Sequence, residues 1–247
     1  MELFCNLLFA HILGDFYLQW DNQCRNKSEL GFSGYGLWYH SIVIGLTAWI
    51  SIWTLDAWWL VVVLSILHTF IDWGKSYIAK RLNVKTEGLL LFVVDQLLHL
   101  GSLFVLSTLY LQQYSEWEQI SWVNDLITTH PLRIATAMAL FLALKPANIL
   151  ILRILDACKV KNTIDDQENE QGNFHSGELI GWLERGLMLL FVVMDQYEAI
   201  GFLIAGKSIL RFGEASQGRE KSEYVLSGTL LSLSVALVLG LLVKTIV

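Results

Sequence analysis

The sequence has little of what a soluble protein uses to stay in water. Only 16% of its 247 residues are Asp, Glu, Lys or Arg, against about a quarter in soluble domains. Proline occurs twice and histidine six times. Three cysteines, Cys5, Cys24 and Cys158, have no CxxC spacing and are too few and too scattered for a disulfide framework or a zinc knuckle. Lys and Arg total 17 against 23 Asp and Glu, for a net charge of −6. No basic stripe runs along the chain, so a nucleic-acid partner is excluded. What remains is apolar: 54% hydrophobic residues and a mean hydropathy of +0.50. This composition excludes a soluble globule and a disordered chain, and points to an all-α, polytopic membrane protein. Ten tryptophans suit its many interface positions.

A spanning helix needs about 20 mostly apolar residues. Such runs lie at Leu3–Trp20, Tyr35–Leu55, Ala57–Ile78, Gly88–Leu111, Leu132–Leu155 and Tyr224–Val247. A further apolar region, Leu179–Leu210, is too long for one simple span. It crosses twice, re-enters as a hairpin bent near Asp195, Gln196 and Glu198, or forms one long tilted helix. Seven or eight passes result. The first run is not a secretory signal, since it has no basic leader and no small-residue cleavage site and carries His11 and Asp15 within it. The expected organisation is a five-helix bundle over 1–158, a polar acidic loop over 159–176 (Asp165, Asp166, Glu168, Glu170) and a membrane part over 177–247. A second polar loop is expected at Gly213–Ser222.

Positive charge sets orientation. Arg25 and Lys27, then Lys80, Arg81 and Lys85, then Lys159 and Lys161 occupy alternate connections, and the connections between them have no Lys or Arg. The chain is therefore expected in a cytoplasmic membrane with its N-terminus outside. Lys207, Arg211, Arg219 and Lys221 fit this pattern only if 179–210 makes a hairpin.

Ionisable residues at membrane depth are costly and mark function. Here they recur in one pattern. His11 and Asp15, His68 and Asp72, and Asp95 and His99 are each four apart, so each pair shares a helix face. His40, followed by Ser41, adds a fourth imidazole. Imidazole and carboxylate are ligands for zinc, manganese or iron, and helical bundles build dinuclear sites from such inward pairs. Three Asp and four His suit two metals, or one metal with the groups that orient its ligands. The divalent metal expected is zinc in the first instance. Lys75 is positioned to stabilise an oxyanion or phosphate, and Gln19 and Gln96 to orient ligands or water. The opposing reading is a metal-free set of packing or proton-relay groups. His130 and His175 read as solvated.

The second half has its own intramembrane polar residues: Lys145, Glu184, Arg185 and Asp195. Glu184 and Arg185 are adjacent and need partners on different faces. Lys145 is a candidate partner for Glu184 or Asp195, and Pro146 is expected to kink its helix. Lys207, Arg211 and Glu214 read as an interfacial cluster.

The strings His11-Ile-Leu-Gly-Asp15-Phe-Tyr-Leu-Gln19, His40-Ser41, His68-Thr-Phe-Ile-Asp72-Trp-Gly-Lys75 and Asp95-Gln96-Leu-Leu-His99 resemble an uncharacterised bacterial multi-pass membrane family known as a domain of unknown function. The segment from Gly177-Glu-Leu-Ile-Gly181 to Glu223-Tyr224 looks like the C-terminal extension of many members. More distantly, His40-Ser41 and His68-x-x-x-Asp72 are similar to motifs of membrane-bound metal-dependent hydrolases. That similarity implies hydrolysis of a lipid or lipid-linked substrate. The alternatives are a proton- or metal-ion-coupled transporter and a structural or sensory protein. Phe92-Val-Val-Asp95-Gln96 and Phe191-Val-Val-Met-Asp195-Gln196 hint at the internal repeat that a transporter would have.

Overall fold

A computed structural model describes residues 2–54, 57–84, 88–114, 130–160, 176–211 and 219–246. Every regular element among them is helical, as expected for an all-α chain. Most of the acidic loop, with Asp165, Asp166, Glu168, Glu170 and His175, lies outside the described residues, as do Lys85, Lys161 and Glu214 and the side chains of Arg211, Arg219 and Lys221. The chain forms two compact units, Met1–Thr128 and Thr129–Val247.

In the first unit, α1 (Glu2–Ile12) runs into a π-helical turn, Leu13–Tyr17. Then come α2 (Asp21–Leu30), a 3-10 turn (Gly31–Ser33), α3 (Tyr35–Ile52), α4 (Trp58–Leu82) and α5 (Leu89–Gln113). α3, α4 and α5 follow the apolar runs. The helix α2 was not expected, because its residues read as a polar loop. Two local devices form it. The side-chain Oε1 of Gln23 accepts the backbone N–H of Trp20 at 3.2 Å, satisfying a donor at the helix start. Asp21 in the first turn and Lys27 in the last complement the helix dipole.

α2 docks on the start of α3 through Gly36. A Cβ there would meet the backbone O of Gln23 at 2.5 Å and Cβ of Asn26 at 3.2 Å. The N–H of Gly36 instead donates to Asn26 Oδ1 at 2.9 Å. One part of this unit has an apolar core of Leu3, Leu7, Ile44, Ala48, Leu60, Leu64, Leu103 and Leu106. Outward faces are apolar too: Ile42, Ile66, Phe70, Leu97, Leu98 and Phe104 are all exposed. So wide an apolar exterior is compatible with a membrane protein.

The second unit contains α6 (Pro131–Ala143), α7 (Lys145–Ala157), α8 (Ser176–Val193), α9 (Tyr197–Arg211) and α10 (Arg219–Ile246). Ala139 and Ala143 share a core with Leu189 and Val243. The fifth apolar run thus belongs to the same compact unit as the C-terminal helices. The kink expected at Pro146 is a break at Leu144, after which α7 restarts with Lys145 and Pro146 in its first turn. Proline is tolerated there because that N–H has no helical partner. The region 179–210 is two helices and not one, parted where Asp195 adopts a left-handed φ of 59°. Asp95 lies within α5, whereas Asp195 sits in this exposed turn, so the two echoing strings do not occupy equivalent places.

Three helical stretches are long and apolar enough to cross a membrane: Leu89–Gln113, Pro131–Ala157 and Glu223–Thr245. Leu3–Tyr17 is apolar but shorter.

Because the clash at Gly36 is with backbone, it cannot be relieved by a rotamer change. Gly36→Ala is expected to destabilise the protein by about 1–3 kcal/mol, read as a lower midpoint of thermal unfolding in detergent. An unchanged midpoint would show that α2 is not docked this closely.

Candidate metal centre

Four elements bring the polar residues of the first unit together. α1 and its π turn supply His11 and Asp15, α3 supplies His40, α4 supplies His68, Asp72 and Lys75, and α5 supplies Asp95, Gln96 and His99. The N–H of Leu18 bonds to the carbonyl of Leu13 at 2.9 Å. This five-residue bond marks a π turn, a feature frequent at functional sites, and Asp15 lies within it. All seven residues singled out as metal ligands converge. His11, His40, His68, Asp72, Asp95 and His99 are buried, and the Asp15 side chain is 10% exposed.

Three donor atoms form a tight triangle. Asp15 Oδ1 lies 3.0 Å from His40 Nε2 and 3.2 Å from His68 Nε2, and the two Nε2 atoms are 2.9 Å apart. Metal–ligand bonds of about 2.0–2.1 Å in a tetrahedral site separate ligand atoms by roughly 3.3 Å. The triangle is hydrogen-bonded and slightly tighter than that, so the three groups could hold one divalent ion after a small outward shift. Asp72 Oδ2 approaches the same pair of imidazoles, 3.5 Å from His40 Nε2 and 3.7 Å from His68 Nε2. Two imidazoles and carboxylate oxygens form a donor set suited to zinc, manganese or iron.

Two ammonium groups flank the carboxylates. Lys75 Nζ donates to Asp95 Oδ2 at 3.0 Å, and Lys27 Nζ donates to Asp72 Oδ2 at 2.7 Å. Lys75 was expected near the site. Lys27 was missed, because its segment read as a loop whose basic residues set orientation. Burial alone would lower the pKa of Lys27, but Asp72 and Asp15 beside it hold the ammonium above the ordinary lysine value. Gln96 Nε2 lies within 3.4 Å of Asp15 Oδ2 and 3.3 Å of Asp95 Oδ2, bridging two carboxylates. Gln19 does not join them, and its buried Nε2 has no hydrogen-bond partner. Ser41 accepts from the Thr69 hydroxyl at 2.7 Å, tying α3 to α4 just beside His40 and His68.

The polar residues of the second unit form separate structural contacts. Glu184 pairs with Lys207 and Asp195 with Lys244. Lys207 is thus committed to Glu184 and is not purely interfacial. The buried Arg185 caps the end of α6, donating to the carbonyls of Ala143 at 2.7 Å and Leu144 at 3.3 Å, and also to Asn148 and Ser232. Those are the partners on a different face that its adjacency to Glu184 demanded. His130 is half-buried and precedes α6.

A family model described as a protein of unknown function, DUF3307, matches residues 3–128. The chain belongs to that family. The match ends where the first compact unit ends and includes every residue of the Asp/His cluster. No curated protein and no solved structure matches the chain.

Removing one partner of a buried ion pair strands the other charge, at a cost of about 3–5 kcal/mol. In metal-free protein, Lys27→Met is expected to lose stability in this range. Adding Asp72→Asn should recover most of the loss, measured by unfolding in detergent. Additive losses would show that the two groups do not depend on each other.

Proposed function

We propose that this member of the DUF3307 family is a metal-dependent hydrolase of the membrane, acting on a lipid or lipid-linked substrate. The reading is carried by the triangle of Asp15 Oδ1, His40 Nε2 and His68 Nε2. Catalytic metal sites keep a position for water or substrate beside their protein ligands, and the nearest further donor here, Asp72 Oδ2, is held by Lys27 at 2.7 Å. When bound, a divalent metal lowers the pKa of its water to near 7 and polarises the scissile group.

The residues around the triangle have separable roles. Asp72, shared between the imidazoles and Lys27, holds the ligand set in register. Lys27 and Lys75 present cations at the edge of the site, where developing negative charge on an oxyanion or phosphate would be stabilised. Gln96 keeps Asp15 and Asp95 oriented from one side. The apolar exterior of α3, α4 and α5 suits a substrate that arrives from the lipid phase. We place the chain across the bilayer seven or eight times, with α2 and its lysine on the cytoplasmic side, following the positive-charge bias.

The test is elemental analysis of detergent-purified protein beside a His68→Ala/Asp72→Ala variant, followed by turnover assays on phosphate-ester and carboxylic-ester lipids. The wild type is expected to retain a divalent metal that the variant lacks, and to hydrolyse at least one ester in a manner abolished by chelator and restored by metal. A wild type without metal after supplementation with zinc, manganese and iron would overturn the reading and favour a proton relay. Bound metal that moves across proteoliposomes without hydrolysis would make the chain a transporter.

A further inference from the structure

The triangle uses only part of the cluster. Three donor atoms beside it are buried yet make no hydrogen bond: His11 Nε2, His99 Nε2 and Asp95 Oδ1. Buried polar atoms without partners are rare and need an explanation. Here His99 Nε2 faces Asp95 Oδ1, His11 and His99 fall in one group of close ligand atoms with His68, and both imidazoles approach the far oxygens of the two carboxylates already described. His99 Nε2 is 3.6 Å from Asp95 Oδ1 and 3.8 Å from Asp72 Oδ1, and His11 Nε2 is 3.7 Å from Asp15 Oδ2. These separations are too long for hydrogen bonds. They are the spacing of ligands around a common cation, roughly 3–4 Å for bonds near 2.0–2.2 Å. His11, His68 and His99 also border a small cavity that Ser102 lines with apolar neighbours.

Asp15 and Asp72 each divide their oxygens. Oδ1 of Asp15 and Oδ2 of Asp72 face His40 and His68, while Oδ2 of Asp15 faces His11 and Oδ1 of Asp72 faces His99. A carboxylate with one oxygen turned to each of two imidazole groups is a bridge.

We infer that His11, His99 and Asp95 form a second divalent-metal position, joined to the first through the carboxylates of Asp15 and Asp72. The inference rests on the metal reading above and deepens it. Three carboxylates against two ammonium groups leave the cluster net negative; one divalent ion already makes it net positive, and a second makes it strongly so. The group that completes such a site is an anion, and paired metals are the arrangement used to clamp a phosphate ester. The substrate class is therefore a phosphate ester borne on a lipid, in preference to a neutral carboxylic ester.

Metal content per chain decides this, using the intact protein loaded with Mn²⁺ and, separately, with Zn²⁺. Two ions per chain are expected in the wild type, and one in His11→Ala, whose side chain serves only the second position. One ion in the wild type would overturn the second position while leaving the single-metal reading in place. No ion would overturn both. Two ions retained in His11→Ala would overturn the assignment of the second position to these residues. If that variant does not fold, electron paramagnetic resonance of the Mn²⁺-loaded wild type replaces it: an exchange-coupled pair supports the bridge, and two uncoupled ions overturn it.

Discussion

Burying three aspartates among apolar helices is the constraint on which the first unit is built. An ionised carboxylate taken out of water costs several kcal/mol unless a cation and hydrogen-bond donors replace the solvent. Lys27 and Lys75 each supply one such cation, and the imidazoles crowd around the carboxylates at distances that hydrogen bonds satisfy only in part. This need accounts for features that lie outside the apolar bundle. The helix α2 exists in a polar stretch because its last turn delivers an ammonium to Asp72, and Gly36 exists at the start of α3 because α2 must approach that closely. The π turn at Leu13–Tyr17 belongs with these features, since it includes the aspartate that faces three of the four histidines.

The arrangement inverts a water-soluble bundle. Charged and polar groups converge between α1, α3, α4 and α5, and the outward faces are Ile, Leu, Val and Phe. Stability at the other part of the unit comes from ordinary packing of Leu, Ile and Ala. That division lets the polar part retain buried groups without partners, which a protein held together only by that part could not carry. The second unit solves its own burial problem differently. It places one guanidinium against the carbonyls that end α6, where the helix dipole is negative, and it spreads the remaining charges into pairs.

The residues of the site were legible because the pattern is local. A His and an Asp four apart in each of three apolar runs can only point the same way, and apolar surroundings on the other faces turn that way inward. The long helices were legible for the same reason, by hydropathy and length. What the sequence hid depends on tertiary contact. The segment Asp21–Leu30 has no apolar stripe, so periodicity gave no helix, although Asp21, Gln23 and Lys27 carry a faint signal of one: acid first, a Gln that can reach back to the helix start, base last. The role of Lys27 follows from a partner 45 residues away, which no local pattern encodes. The company kept by the fifth apolar run was equally non-local, since Ala139 and Ala143 fit against Leu189 and Val243 and nothing in their spacing names that partner. Pro146 showed that the run is interrupted, but whether it kinks or breaks depends on where the helix restarts.

The central claim is that Asp15, His40 and His68 gather a divalent ion through nitrogen and oxygen donors. X-ray absorption at the edge of zinc bound to the purified protein tests it most directly. A first shell of nitrogen and oxygen at about 2.0–2.2 Å, with outer-shell scattering from at least two imidazoles that diminishes in His40→Ala, is the predicted result. A shell containing sulfur, or a spectrum without imidazole scattering, would place the metal elsewhere and contradict the claim.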